Sequence, residues 1–204
     1  MLPLPSRDPS HRAARGLARL LDRHPGLREH GESVGALAAA VARRLGAAED
    51  DALEIELAGR LHDIGKVAID AAVLEKPGPL GPRELARIKR HPLIGAQMLR
   101  AAGLEKIATW VLCHHERPDG RGYPIGLSHR EIPAQSLILS AADACDAMLS
   151  DRAYRPAIGL GAAIAELERG SGRQFDVEVV GALLCELPRL DQELTAAGLE
   201  ASVR

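Results

Sequence analysis

The amino-acid sequence predicts an all-α fold, a helical bundle with a buried centre for two metal ions. Apolar residues recur at the three- and four-residue spacing of helices, and no stretch alternates like a β-strand. Hydrophobic residues make up 46% of the chain and aromatic residues only 2%, so the core must consist of Leu, Ala, Val and Ile, which suits closely packed helices. Histidines and aspartates also stand on the apolar faces of several predicted helices, where they need polar partners.

Length, charge and cysteine content narrow the class of protein. A chain of 204 residues is long enough for one substantial core, and its net charge of -2 offers no basic field for nucleic acid. The three cysteines are widely spaced, which predicts free thiols in a reducing compartment. No apolar run could span a bilayer, and Met1–Pro5 lacks the pattern of a signal peptide. We therefore predict a cytoplasmic protein that binds neither nucleic acid nor a membrane.

Helical patterns cover most of the chain after an irregular start that contains three prolines. They occupy residues 11–24, 27–45, 51–63, 83–90, 104–116, 160–169 and 177–187, and further helices begin at Pro92 and Pro133. Asp51 and Glu54 predict a capping pair at the start of the third helix. Gly65 is expected to stop that helix, because glycine tolerates the left-handed backbone of a helix end.

Seven polar residues on these helices predict a metal site. They are His30, His62, Asp63, His91, His114, His115 and Asp143. Each alone is more typical of a buried side chain satisfied by hydrogen bonds, but together they exceed what a helical core of this size needs for packing. Mixed nitrogen and oxygen ligands suit iron, manganese or zinc, and seven ligands are about right for two ions bridged by a carboxylate. Two ions roughly 3.5–4 Å apart are typical of phosphate-ester hydrolysis.

Longer motifs surround these residues and carry a family resemblance. They are LHDIGK (61–66), KPGPLGPREL (76–85), HPLIGAQML (91–99), HHERPDGRGYPIGL (114–127), REIP (130–133), AADACDAM (141–148), DRAYR (151–155) and GSGRQFD (170–176). In this order they resemble the HD-GYP family, cyclic di-GMP phosphodiesterases within the HD metal-hydrolase superfamily, over about residues 27–180. The resemblance implies an HD-domain helical bundle at 27–204, preceded by a lead-in and short helix at 1–26.

The resemblance also implies a role for each residue of the site. Ligands of the first metal would be His30, His62, Asp63 and Asp143. Ligands of the second metal would be His91, His114 and His115, with Asp63 as the bridge. Lys66 would lie beside the scissile phosphate, and the predicted catalytic residues are Asp63 and Lys66. Substrate-binding positions would be Lys66, Arg152 and Arg155 for phosphates and Tyr123 for a guanine, because its ring is a flat surface on a rigid loop.

The activity implied by the resemblance is hydrolysis of cyclic di-GMP to linear pGpG or GMP in bacterial second-messenger signalling. A hydroxide that bridges the two ions would attack the phosphorus, while Lys66 would neutralise charge on the phosphoryl oxygens. Some family members hold a third metal with a glutamate four residues before the first histidine. Here that position is Gly26, so we expect two divalent ions, iron or manganese first and zinc as a further candidate. The family's Phe-Asp-Pro appears as Phe175-Asp176-Val177, which predicts a local change at a helix start.

Two alternatives stay open beside this enzyme. The fold could bind cyclic di-GMP or a partner protein without turnover, as a sensor or scaffold, but all seven ligand positions are retained. It could also hydrolyse another cyclic dinucleotide, whereas the Gly122-Tyr123-Pro124 loop argues against a generic HD hydrolase. Further candidate partners are GGDEF-type signalling proteins at this loop and a second copy in a homodimer.

Overall fold

The structure of the protein is a computed structural model that describes residues 9–151 and 157–196. These residues form ten α-helices and two short 3-10 helices and contain no β-strand, which confirms the all-α prediction. The helices are α1 (Pro9–Leu21), α2 (Pro25–Arg44), α3 (Glu49–Leu61), α4 (Ala71–Leu74), α5 (Pro82–Ile88), α6 (His91–Ala101), α7 (Glu105–Cys113), α8 (Ala134–Leu149), α9 (Leu160–Gly170) and α10 (Val177–Ala196). The 3-10 helices are Ile64–Ala68 and His129–Glu131. Whether the chain divides at residue 27 stays a prediction.

The centre of the bundle is α8, as its apolar sequence predicts. Leu139 and Cys145 are fully buried, and Ala141 and Ala142 are each 1% exposed. The helix contacts α2, α3, α7, α9 and α10. Asp143 is therefore carried through the middle of the bundle, where it can meet side chains from several helices. Among the described residues, none of the helices combines the length and apolarity that crossing a membrane requires.

Three glycines let α2 and α3 pack backbone against backbone. A Cβ atom at Gly35 would lie 2.6 Å from the carbonyl oxygen of Glu56, and one at Gly59 would lie 2.5 Å from the Cα atom of Gly35. A Cβ atom at Gly31 would lie 2.7 Å from the carbonyl oxygen of Arg60. Larger side chains here would separate the helices. This close approach brings the rings of two predicted ligands, His30 on α2 and His62 after α3, to 5.0 Å between centroids.

The start of α3 differs from the prediction. The helix begins at Glu49, after Ala48 in an extended conformation, rather than at Asp51. Asp51 and Glu54 both pair instead with Lys106 of α7, and the Asp51 carboxylate lies 3.2 Å from its Nζ atom. These two carboxylates therefore link α3 to α7 and do not cap α3.

Gly65 does not have the predicted role. It lies inside the 3-10 helix that follows α3, and it is not among the glycines with a positive φ angle. The requirement for glycine is instead steric, because a Cβ atom there would lie 2.1 Å from the carbonyl oxygen of His91 and 2.7 Å from the amide nitrogen of Gly95. Gly65 thus allows the first turn of α6, which carries His91, to approach the end of α3.

Asp176 explains how α10 begins without the family's proline. Its Oδ1 atom accepts a hydrogen bond of 2.9 Å from the N–H group of Val179, which caps the first turn. Its other oxygen lies 2.7 Å from Nε2 of His129. Because Asp176 caps the helix, the next residue need not be proline and can be Val177.

Candidate metal centre

The structure brings all seven predicted metal ligands together. They come from five places in the fold: His30 on α2, His62 and Asp63 after α3, His91 at the start of α6, His114 and His115 after α7, and Asp143 on α8. They form three overlapping groups in which one donor atom of each member lies within 4.8 Å of the others. The groups are His91–His114–His115, His30–His62–Asp63 and His62–His114–Asp143.

Asp63 lies between the two sets of histidines. Its Oδ1 atom is 3.2 Å from Nε2 of His91. Its Oδ2 atom is 3.5 Å from Nε2 of His62 and 3.9 Å from Nε2 of His30. One carboxylate therefore presents an oxygen to each half of the centre, an arrangement that suits a bridging ligand.

The buried atoms of this centre fit a bound cation. Nε2 of His62 and Oδ1 of Asp63 are buried atoms without a hydrogen-bond partner among the described residues, and their residues are only 1% and 3% exposed. Buried polar atoms are rarely left unpaired, because burial removes their hydrogen bonds to water. The lone pairs of an imidazole and a carboxylate are also common ligands of divalent transition metals.

Three of the histidines are oriented by backbone carbonyl groups. The Nδ1–H groups of His62, His91 and His114 donate to carbonyl oxygens three residues earlier, at 2.6, 2.8 and 2.6 Å. A neutral imidazole that donates through Nδ1 keeps a lone pair on Nε2. The Nε2 atoms of His91 and His114 lie 3.3 Å apart, so two lone pairs face each other. A cation would relieve this repulsion.

The pKa values of His91, His114 and His115, the predicted ligands of the second metal, favour metal binding. Burial lowers the pKa of His91 and of His115 to about 4. Burial also holds the pKa of His114 well below its usual value. At neutral pH these imidazoles are therefore uncharged, which is the form that binds metal.

The carboxylates and His30 carry charge instead. Burial acts to raise the pKa of Asp63, but the positive charge of Lys66, whose Nζ atom lies 2.5 Å from Oδ2, helps to hold it well below its usual range. Burial likewise acts to raise the pKa of Asp143, but the hydrogen bond that its carboxylate accepts from His30 helps to lower this pKa. Burial would lower the pKa of His30, but hydrogen bonds to Asp143 and Asp146 raise it to about 9, so a bound cation would displace the proton on Nε2 when His30 becomes a ligand.

Tyr123 lies beside His115, one of the predicted ligands of the second metal. Its ring stacks on the ring of His115, with centroids 4.7 Å apart and planes inclined by 29°. The Nζ atom of Lys89 lies over the tyrosine ring, 5.0 Å from its centroid. Burial raises the pKa of the Tyr123 hydroxyl, so the group stays protonated at neutral pH. His115 and Lys89 both contact the ring, and its role as a surface for a guanine stays a prediction.

Glu116 holds the loop after Tyr123 and was not predicted. It is fully buried, and its carboxylate accepts hydrogen bonds of 2.6–3.1 Å from the N–H groups of Ile125, Gly126 and Leu127. A carboxylate directly after two histidines and before a glycine-rich loop was the available signal. The pattern could not show which backbone groups it meets, because that depends on how the loop folds back.

Replacing Gly122 by alanine should destabilise this loop. A Cβ atom there would lie 2.4 Å from the Cα atom of Glu116 and 2.5 Å from the amide nitrogen of Arg117, and backbone atoms cannot rotate away. We expect a loss of about 1–3 kcal/mol in unfolding free energy, measured by denaturant unfolding. Gly181→Ala is the matched control, since no described atom lies within 4 Å of its added Cβ in α10, and alanine should stabilise that helix by roughly 0.5–1 kcal/mol. Equal stability of the two variants would contradict the prediction.

A cavity of about 460 Å³ opens beside the predicted ligands of the first metal. Its lining includes His30, Asp63, Lys66, Ser150 and Asp151. The predicted phosphate-binding residues Arg152 and Arg155 follow directly in sequence but lie outside the described residues. The cavity gives a ligand access to the carboxylate that lies between the two halves of the centre.

Fold and site together define a helical protein with a buried histidine–aspartate centre of the kind that holds divalent metal ions. Residues 16–179 match the profile of the HD domain family. The chain belongs to this family. The family match also agrees with a metal centre, although the identity of the metal and the role of each ligand stay predictions.

Individual relatives narrow the resemblance. The chain is 43% identical over 169 residues to a cyclic di-GMP phosphodiesterase of Thermotoga maritima, a match that covers 81% of this chain and 45% of that protein. It is 34% identical over 167 residues to 3'3'-cGAMP-specific phosphodiesterase 3 of Vibrio cholerae, which covers 81% of this chain and 36% of the relative. The chain thus spans less than half the length of these curated relatives.

A solved structure shares the fold. It is Bd1817, an HDG"Y"P protein from Bdellovibrio bacteriovorus, which superposes with a TM-score of 0.66 at 22% identity over 79% of this chain and 52% of that one. Together with the sequence matches, this confirms the HD-GYP resemblance drawn from the motifs.

Proposed function

We propose that this protein is a metal-dependent phosphodiesterase that hydrolyses cyclic di-GMP to linear pGpG or GMP. The observation that carries the proposal is the centre around Asp63, where two buried ligand atoms have no hydrogen-bond partner among the described residues and three histidine nitrogens lie within 4 Å of one carboxylate. The Thermotoga relative, a cyclic di-GMP phosphodiesterase, supports the substrate. A role in second-messenger signalling follows from that substrate.

The proposed chemistry assigns separate tasks to the residues. Two divalent cations, when bound, would lower the pKa of water and offset negative charge on a phosphoryl group. His30, His62, Asp63 and Asp143 would hold one cation, and His91, His114 and His115 the other. Asp63 would join the two halves, because its two oxygens face different histidines. Lys66 lies in the wall of the cavity, where its ammonium group can neutralise charge that develops on a phosphate.

Substrate choice is the first test of this proposal. The metal-loaded protein should hydrolyse cyclic di-GMP, and 3'3'-cGAMP is the comparison substrate because a relative from Vibrio cholerae is specific for it. Products separated by chromatography would distinguish pGpG from GMP. Faster turnover of 3'3'-cGAMP would reassign the substrate within the same class. Binding of cyclic di-GMP without turnover of either compound would favour the sensor or scaffold. Binding of GGDEF-type proteins, homodimer formation and cytoplasmic location stay predictions.

Metal analysis should find two equivalents of a divalent transition metal, iron or manganese first. The predicted ligands would hold two ions with Asp63 between them, and Gly26, which lines the cavity, offers no side chain for a third ion. Elemental analysis of protein purified without oxygen measures this number. Three equivalents at full occupancy, or none, would contradict the prediction, and removal of metal by a chelator should abolish activity reversibly.

Tyr123→Ala, Arg152→Ala and Arg155→Ala should each weaken cyclic di-GMP binding while metal content stays unchanged. Arginine suits a phosphate because its planar guanidinium group can donate two hydrogen bonds at once. The tyrosine change also frees Lys89, which now lies over the ring. Loss of stacking should cost about 1–3 kcal/mol of binding free energy, measured by calorimetry. Arg83→Ala, which removes an exposed arginine of α5, is the control. Unchanged affinity in all three variants would contradict this model of recognition.

A further inference from the structure

His30 differs from the other oriented histidines in the partner of its Nδ1 atom. Carbonyl groups accept the Nδ1–H groups of His62, His91 and His114. The Nδ1–H group of His30 instead donates to a carboxylate, at 2.6 Å from Oδ2 of Asp146. One half of the centre therefore has a histidine held by a charged carboxylate, whereas His91 and His114 in the other half are held by neutral carbonyl groups.

Asp146 holds the ring of His30 from the side opposite the centre. It stands three residues after Asp143 on α8, and residues three apart share one face of a helix. Asp143 contacts Nε2 of His30 at 3.0 Å, and Asp146 contacts Nδ1. The imidazole is thus clamped between two carboxylates of one helix, and Nε2 is the atom that faces the centre.

The charge of Asp146 has a chemical consequence for its partner. Asp146 is only 9% exposed, so water screens its charge little. A hydrogen bond to a carboxylate is roughly twice as strong as one to a neutral acceptor. Such a partner fixes the tautomer of a metal-binding histidine and makes the opposite nitrogen a stronger ligand.

We infer that Asp146 is a positioning residue that orients His30 and strengthens it as a metal ligand, so that the first metal site depends on a charged partner. The inference rests on the proposed metal centre. It assigns Asp146 to the first metal site, while the second site, formed by His91, His114 and His115, relies on the backbone and on ring packing.

Metal titration tests this inference. Metal-free wild type, Asp146→Asn and Asp146→Ala would be titrated with Mn²⁺ against a chelator of known affinity. Asp146→Ala should weaken one of the two binding events by about 10–100-fold and leave the other unchanged. Asp146→Asn should weaken the same event less, because the amide oxygen still accepts from Nδ1 but carries no charge. The absorption spectrum of bound Co²⁺ gives a second readout, and one of the two ions should change its spectrum.

Glu186→Gln is the matched control. Glu186 is another buried carboxylate that contacts α2, through Arg44, but this contact lies fourteen residues beyond His30, about 21 Å along the helix. It should leave both metal affinities unchanged, so any general effect of removing a buried charge is separated from the effect on His30.

The outcomes distinguish this inference from the proposed function. Wild-type affinity in both Asp146 variants would overturn the inference and leave the metal centre standing. Equal weakening of both binding events would also overturn it, since Asp146 would then support the whole fold. If the wild type binds no metal, both the inference and the proposed function fail. Where Asp146→Ala does not fold, the isosteric Asp146→Asn carries the test.

Discussion

Replacing Asp63 by asparagine should abolish both metal binding and phosphodiesterase activity. The carboxylate lies between the two groups of histidines, with Oδ1 near His91 and Oδ2 near His62, so a single change affects both halves. Asparagine has the same shape but no charge, and its NH₂ group has no lone pair for a cation. Metal ions supply several kcal/mol of transition-state stabilisation, so we expect activity to fall by about 10³-fold or more.

Elemental analysis and turnover of cyclic di-GMP would measure the two effects of Asp63→Asn. Asp50→Asn is the control, because Asp50 is exposed in the first turn of α3, the helix that precedes Asp63. A variant at Asp63 that keeps both metal ions and ordinary activity would show that this residue does not join the two halves.

Lys66→Ala should separate catalysis from metal binding. The lysine lines the cavity and pairs with Oδ2 of Asp63, but it is a cation and cannot be a metal ligand while protonated. Its removal leaves transition-state charge uncompensated, so we expect kcat to fall by about 10²–10³-fold with metal content retained. Single-turnover kinetics on metal-loaded protein would show whether the chemical step has slowed.

Lys76→Ala is the matched control, because the ammonium group of Lys76 pairs with Glu84 outside the centre. If Lys66→Ala loses metal as completely as Asp63→Asn, its contact with Asp63 supports the ligand set, and the proposed division of roles is wrong. Unchanged kcat with full metal content would show that Lys66 does not act on the substrate.

Helix type and the identity of the clustered residues could be predicted because both depend on local pattern. Apolar spacing placed a buried helix around Asp143, and α8 is central. Histidines on apolar faces indicated a shared partner, and the fold brings His30, His62 and His91 together from three separate helices and turns. The pattern was less informative at element ends, where α3 begins at Glu49 and α7 ends at Cys113, before His114.

The all-α class, the seven clustered residues and the family could be predicted from the order of residues alone, because helical periodicity, residue chemistry and motifs are local properties. The contacts that hold those residues in place depend on the folded chain. Asp146 meets His30 across 116 positions of sequence, and the need for glycine at position 65 comes from the approach of His91. Glu116 acts through the backbone of a loop that folds back on it. These contacts join segments that are distant in sequence, or they form where a loop folds back. Helical periodicity therefore cannot predict them.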